Sequence, residues 1–221
     1  MSNPVKALLT VVVGSALGVV VVLLLNLLAG GAVGWQTSLA VGAIFGLLYG
    51  LEAGLLLSYD LTSPQGWLLL LVDFTWSLPN TLFGFVLGNI IYVFVGNPSR
   101  SLSAGQGWIA FQPRGSGAFG NSVLQTIGTL NLGGAGQHER MHLLQARIFG
   151  PLYLPLFALN YVVNFLVQVL WTGTVGLVLW KLKARATPYL QPPGHSAVGG
   201  FFGWIYYANL FEIWAYSAGN P

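Results

Sequence analysis

Val5-Lys6-Ala7-Leu8-Leu9-Thr10-Val11-Val12-Val13-Gly14-Ser15-Ala16-Leu17-Gly18-Val19-Val20-Val21-Val22-Leu23-Leu24-Leu25-Asn26-Leu27-Leu28-Ala29 decides what kind of protein this is. The run is long enough to cross a bilayer, which takes about 20 apolar residues in a helix. It is too long for the apolar core of a secretory signal, and no convincing small-residue cleavage site follows, so it reads as a retained first span. Gly14, Ser15, Ala16 and Gly18 are small enough to let a second helix approach closely.

The rest of the chain agrees. Of 221 residues, 55% are hydrophobic and 6% charged. Soluble domains carry about 25% charged residues, so this chain cannot coat itself with a water-compatible surface and belongs in lipid. Eight Lys or Arg against five Asp or Glu give a net charge of +3. The basic residues are scattered, so nucleic acid is excluded as a partner. Cysteine is absent, which removes disulfides, thiolate metal sites and cysteine nucleophiles.

Outward from the first span, Gly30-Gly31 break the helix and a second span runs from about Val33 to Leu57. Gly42, Gly46, Gly50 and Gly54 recur every four residues and lay a glycine stripe down one face. A third apolar stretch, Gly66 to Val95, is long for one straight span. Pro79 removes a backbone hydrogen bond and disfavours helix at Leu78, so a kink, or an interfacial piece before the true span, is predicted. From Gly96 to Gln137 the chain turns polar and Gly-rich. Residues 107–112 and 123–130 partly alternate, as short strands do. A helix follows, from Gly134 or Gly136 to Phe149, stopped by Gly150-Pro151. Leu152 to Trp180 reads as another span, closed by Lys181, Lys183 and Arg185. A Pro- and Gly-rich loop then leads to an aromatic helical segment, Phe201 to Ser217. The expected fold is mainly α: a multi-pass transmembrane helical bundle with a small β-containing extramembrane segment before the helix at 138. Its parts are an N-terminal membrane region (1–95, about three spans), a polar β-hairpin segment (96–137) and a C-terminal region (138–221).

The chemistry concentrates in His138-Glu139-Arg140-Met141-His142, an HExxH motif that uses two of the three histidines in the chain. On a helix, positions i and i+4 share a face, so both imidazoles can hold one Zn²⁺, with Glu139 placed as the general base for water attack. A catalytic zinc takes three protein ligands and keeps one position open. The carboxylates outside the motif are Glu52, Asp60, Asp73 and Glu212. Glu212 lies in an apolar, aromatic segment, where an isolated carboxylate is costly and calls for a partner.

Two blocks carry a resemblance. Asn209-Leu210-Phe211-Glu212-Ile213-Trp214-Ala215-Tyr216 resembles the glutamate helix of gluzincin metallopeptidases. Gln137 to Gln145 gives HExxHxxQ, followed by Gly150-Pro151-Leu152-Tyr153-Leu154-Pro155. Together they look like a group of uncharacterised bacterial multi-pass membrane proteins with HExxHxxQ, GPLYLP and NxFExxAY elements. The resemblance implies a gluzincin-like zinc metallopeptidase of the bacterial inner membrane, with His138, His142 and Glu212 as metal ligands and Glu139 as catalytic base. Leu210 departs from the N-P-F-E form, and Glu212 lies further from HExxH than in thermolysin-like enzymes.

Other residues stand in second rank. Gln145, one turn beyond His142, orients a ligand or is a plain polar helix residue. Asn209, three residues before Glu212, is placed to hydrogen-bond near the site. Tyr216 stabilises an oxyanion or packs at the lipid interface. His195 is a substitute third ligand or an idle loop histidine. Asp73 and Glu52 show no partner in sequence, and Arg140 and Arg147 are expected at solvent or headgroups.

Lys181, Lys183 and Arg185 mark the cytoplasmic side, and Lys6 agrees, while Arg100, Arg114, Arg140 and Arg147 oppose a clean outside assignment of the middle region. If Leu152–Trp180 crosses fully, the last segment must turn back into the membrane to bring Glu212 to the histidines; otherwise the site is cytoplasmic. The leading expectation is a membrane-embedded zinc metallopeptidase cleaving membrane or membrane-proximal polypeptides. The alternative is a non-catalytic accessory subunit of a larger membrane assembly with a structural metal site. A transporter, resting on Asp73, Glu52 and the broken third stretch, is third.

Overall fold

The computed structural model describes residues 1–114, 125–133, 136–191 and 200–219. The chain is mainly helical with a small sheet, and four of its helical stretches are long and apolar enough to cross a membrane: Asn3–Leu28, Trp35–Leu55, Leu78–Val95 and Gln137–Lys181. It divides into two compact units, residues 1–135 with 146–151, and residues 136–145 with 152–221.

The first unit begins with α1 (Asn3–Leu28) and α2 (Trp35–Leu55), packed along the predicted glycine stripe. A Cβ placed on Gly18 would sit 2.5 Å from the Gly42 carbonyl oxygen, and one on Gly46 2.5 Å from that of Gly14. The two backbones are in direct contact there, which no residue larger than glycine permits. The outer faces present the exposed apolar side chains Leu8, Val12, Val20, Leu24, Ile44 and Leu48.

The long third stretch is broken, as Pro79 predicts. Helix α3 (Pro64–Phe74) is opened by Ser63, whose side chain accepts from Gly66 N. The chain breaks at 75–77, then resumes as α4 (Leu78–Phe83), a π turn (Gly84–Gly88) and α5 (Asn89–Val95).

The polar segment then forms β1 (Gly96–Pro98), the short helix α6 (Arg100–Ser103), β2 (Ile109–Pro113), β3 (Thr126–Ile127) and β4 (Leu130–Leu132). The sheet order is β1-β2-β4-β3, with β2 and β4 parallel and the other pairs antiparallel. The strand expected over 107–112 is β2. Of the one expected over 123–130, residues 123 and 124 lie outside the described residues, and the rest is two short strands divided by Gly128, whose φ is +57°. Buried Tyr49, Phe74, Tyr92, Ile109, Phe111 and Leu130 form the core of this unit.

A buried polar chain crosses that core. Tyr49 Oη donates to Thr129 Oγ1 (3.1 Å) and lies 2.7 Å from Tyr59 Oη, which donates to Asp73 Oδ2 (2.7 Å). Arg147 Nε and Nη2 donate to Asp73 at 2.8 and 2.7 Å. Arg147 therefore does not face solvent or headgroups, as its charge suggested. It is the partner that buried Asp73 lacked in sequence, itself mostly covered, and a paired, bidentate guanidinium is the form in which such a charge survives burial. Glu52, half-buried, accepts from Asn89 Nδ2 at 2.9 Å.

Helix α7 (Gln137–Phe149) carries the HExxH and ends at Gly150, whose φ of +54° stops it as predicted. In the second unit, α8 (Tyr153–Trp171), a π turn (Thr172–Gly176) and α9 (Leu177–Lys181) form one long apolar helix. The final segment is two helices rather than one, α10 (Gly200–Tyr207) and α11 (Leu210–Ala218), separated at Ala208-Asn209.

This last segment runs back along α8. Gln168 Nε2 donates to Leu190 O and Phe201 O, Asn164 Nδ2 to Ile205 O, and Asn160 Oδ1 accepts from Leu210 N. The partners rise in number from 190 to 210 as the α8 residues fall from 168 to 160, so the chain is antiparallel to α8. Over the 15 positions from Gln168 to Tyr153 it regains about 23 Å at 1.5 Å per residue. The last segment therefore returns toward the N-terminal end of α8, where Tyr153 packs on Phe211.

Candidate metal centre

Three elements of the second unit supply the site: the first turns of α7, the start of α8, and α11. His138 and His142 lie one turn apart, with their Nε2 atoms 3.1 Å from each other. Glu212 Oε2 lies 3.4 Å from His138 Nε2 and 3.5 Å from His142 Nε2. His138 and Glu212 are buried and His142 is nearly so.

These separations test what the cluster can hold. Zinc bonds to His nitrogen and carboxylate oxygen are ~2.0–2.2 Å, and the corners of a tetrahedral shell of that size lie roughly 3.3–3.6 Å apart. Two of the observed edges, 3.4 and 3.5 Å, fall in that range, and the third, between the two imidazole nitrogens, is slightly shorter at 3.1 Å. Glu212 Oε2 is buried and, among the described residues, has no hydrogen-bond partner; only the two imidazoles face it, at 3.4 and 3.5 Å. A buried carboxylate oxygen in that state is costly unless a cation shares it. Two imidazoles and one carboxylate are also the donor set that borderline divalent transition metals take, in contrast to the all-oxygen sets of Ca²⁺ and Mg²⁺. Geometry and donor chemistry both fit a metal ion.

The local sequence explains why Glu212 arrives there. Asn209 caps α11, its Oδ1 accepting from Phe211 N at 3.0 Å, while its Nδ2 reaches Phe157 O at 3.4 Å. Leu210, where the resemblance suggests proline, uses the N–H that proline lacks to donate to Asn160 Oδ1 at 2.7 Å. Both contacts fix the first turn of α11, and Glu212 lies in that turn.

Gln145 is fully buried and spans the site: His142 Nδ1 lies 3.0 Å from its Oε1, and its Nε2 donates to Phe211 O at 2.9 Å. Tyr216 is half-buried, with its ring centroid 4.3 Å from that of His138. Burial pushes its phenol up to about 12, so it stays protonated at neutral pH. Glu139 is buried in the first turn of α7. Burial opposes ionisation of Glu212, but the two facing imidazoles outweigh it and hold the carboxyl down at about 2. His195 lies outside the described residues.

Residues the sequence did not single out also surround the centre. Tyr161 and Tyr206 neighbour the Glu212 carboxylate. Burial, reinforced by that charge, raises the Tyr206 phenol, which keeps its proton as a donor. Phe157 meets His142 edge-on at 6.3 Å, and Tyr153 packs on Phe157 and Phe211. The signal was present: Tyr153, Phe157, Asn160, Tyr161, Asn164 and Gln168 repeat at three- and four-residue steps along one face of an otherwise apolar helix. A polar stripe in such a helix marks the side that meets protein.

No family model, no curated protein and no solved structure matches this chain.

Proposed function

We propose that this chain is a multi-pass membrane protein, a zinc metallopeptidase of gluzincin type, acting on membrane or membrane-proximal polypeptides in the bacterial inner membrane. The observation that carries the reading is the triangle of His138 Nε2, His142 Nε2 and Glu212 Oε2, with edges of 3.1–3.5 Å and an oxygen that has no hydrogen-bond partner among the described residues. These three residues would hold the metal. A zinc ion bound there supplies Lewis acidity, polarising a peptide carbonyl and lowering the pKa of water toward about 7. Glu139 takes the proton from the attacking water and passes it to the leaving amine. Tyr161 and Tyr206 brace the Glu212 carboxylate.

The experiment is Glu139→Gln in purified protein reconstituted in lipid. Metal content is expected to stay at the wild-type level while cleavage of a membrane-anchored peptide falls at least about a thousandfold, the scale set by loss of a general base together with its positioning of water. Cleavage at the wild-type rate would overturn the mechanism. A second reading, a structural metal site in an accessory subunit, is favoured by the burial of His138 and Glu212 and by the Tyr216 ring over His138. Stoichiometric metal with no cleavage in either protein would support it.

A further inference from the structure

We propose that Gln145 is a positioning residue of this centre: its single amide sets the tautomer of His142 and ties that histidine to the backbone beside Glu212. This rests on the metal-site reading above. Phe211 O, 2.9 Å from the amide, can only accept, so the group facing it is the NH₂ of Gln145. The other end of the amide, Oε1, can also only accept. Facing it at 3.0 Å is His142 Nδ1, which must therefore carry the proton. A neutral imidazole protonated at Nδ1 has its lone pair on Nε2, the atom that faces His138 and Glu212.

On the Nδ1 side of the ring, Gln145 Oε1 is the nearest acceptor among the described residues. Gln145 has no exposed surface, so water does not replace either bond. Tyr153 Oη lies 3.5 Å from His142 Nδ1, too far for an effective hydrogen bond. The same side chain joins α7 to the residue preceding Glu212, so one amide sets both the direction of a nitrogen ligand and the approach of the oxygen ligand. Among the described residues His138 has no such support: its Nδ1 is buried without a hydrogen-bond partner there. Among the described residues the two histidines are thus unequal: His142 has an acceptor at Nδ1 and His138 has none.

The test uses the full chain in lipid nanodiscs, metal-free, at pH 8. Long-range ¹H–¹⁵N spectra report which ring nitrogen carries the proton, and the three histidines are assigned with His138→Ala and His195→Ala. His142 is expected in the Nδ1–H form in the wild type and as a mixture in Gln145→Met. An Nε2–H form in the wild type, or no change in Gln145→Met, overturns the proposal. Zinc titration of the same proteins gives a second reading. Gln145→Met is expected to weaken binding by about 10–100-fold, and Gln145→Glu, which restores an acceptor for Nδ1, to weaken it less. The opposite order, with Glu weaker than Met, marks a packing role and overturns the proposal. The wild-type tautomer is read without metal. A wild type that binds no zinc therefore defeats the metal site, while the spectra decide the role of Gln145 separately.

Discussion

Gln168, deep in α8, donates from Nε2 to Phe201 O at 2.9 Å and to Leu190 O at 3.2 Å, and its Oε1 accepts from Leu190 N at 3.0 Å. A fully buried amide thus holds both ends of the connection that reverses the chain, and the reversal is what delivers Glu212 to the histidines. Gln168→Leu removes the partner of those partly buried backbone groups, at a cost of about 1–3 kcal/mol. Thermal unfolding in nanodiscs is expected to show a lower midpoint, and zinc binding to weaken alongside it. An unchanged midpoint and affinity would mean the return segment is held by something else.

Asp73 and Arg147 form a buried pair whose members are worth more together than either alone. Arg147→Met strands a carboxylate with only Tyr59 as donor, and is expected to destabilise by about 3–5 kcal/mol. Adding Asp73→Leu is expected to recover most of that loss. A double variant as unstable as the single one would contradict a paired-charge role. Denaturant unfolding of the three proteins checks this.

Glycine at 46 is required by contact and glycine at 173 is not. A Cβ at Gly46 would meet the Gly14 oxygen at 2.5 Å, whereas nothing lies within 4 Å of one at Gly173. Gly46→Val is expected to separate α1 from α2 at a cost of at least about 1–3 kcal/mol, and Gly173→Ala to leave stability unchanged or slightly raised. Equal midpoints for the two variants would remove the close approach from the account.

Glu212 gives metal-free protein a pH dependence of definite sign. Its carboxyl is held at about 2 in the folded chain, below the ordinary value of about 4.3. A depressed folded value contributes stability that is present above about pH 4.3 and is lost as pH falls toward 2. The stability advantage of wild type over Glu212→Gln, measured without metal, is therefore expected to shrink as pH drops from 5 to 2. An advantage that grows on acidification would contradict the electrostatic role of the imidazoles.

The parts of this molecule legible in sequence are those written in local pattern. The apolar run at 5–29, the four-residue glycine spacing of α2 and the Gly150-Pro151 stop each act over one helix, and each predicts its element closely. The HExxH spacing places His138 and His142 on one face for the same reason. Glu212 was singled out by its apolar surroundings and its motif, but its approach depends on the antiparallel return along α8, and pairing between distant segments leaves no local trace. Arg147 shows the same limit. Its charge pointed to water, and only the fold brings Asp73 to meet it. The parallel pairing of β2 with β4 was also illegible, since alternation reports a strand's exposure and says nothing of which strand lies beside it.

Metal stoichiometry by elemental analysis, on wild-type and Glu212→Ala protein purified in lipid with zinc present, tests the central claim most directly. The expected result is one zinc per wild-type chain and a loss of most of it in the variant, with both proteins folded by circular dichroism. A wild type without stoichiometric metal, or a variant that keeps it in full, would contradict the assignment of His138, His142 and Glu212 as a single metal centre.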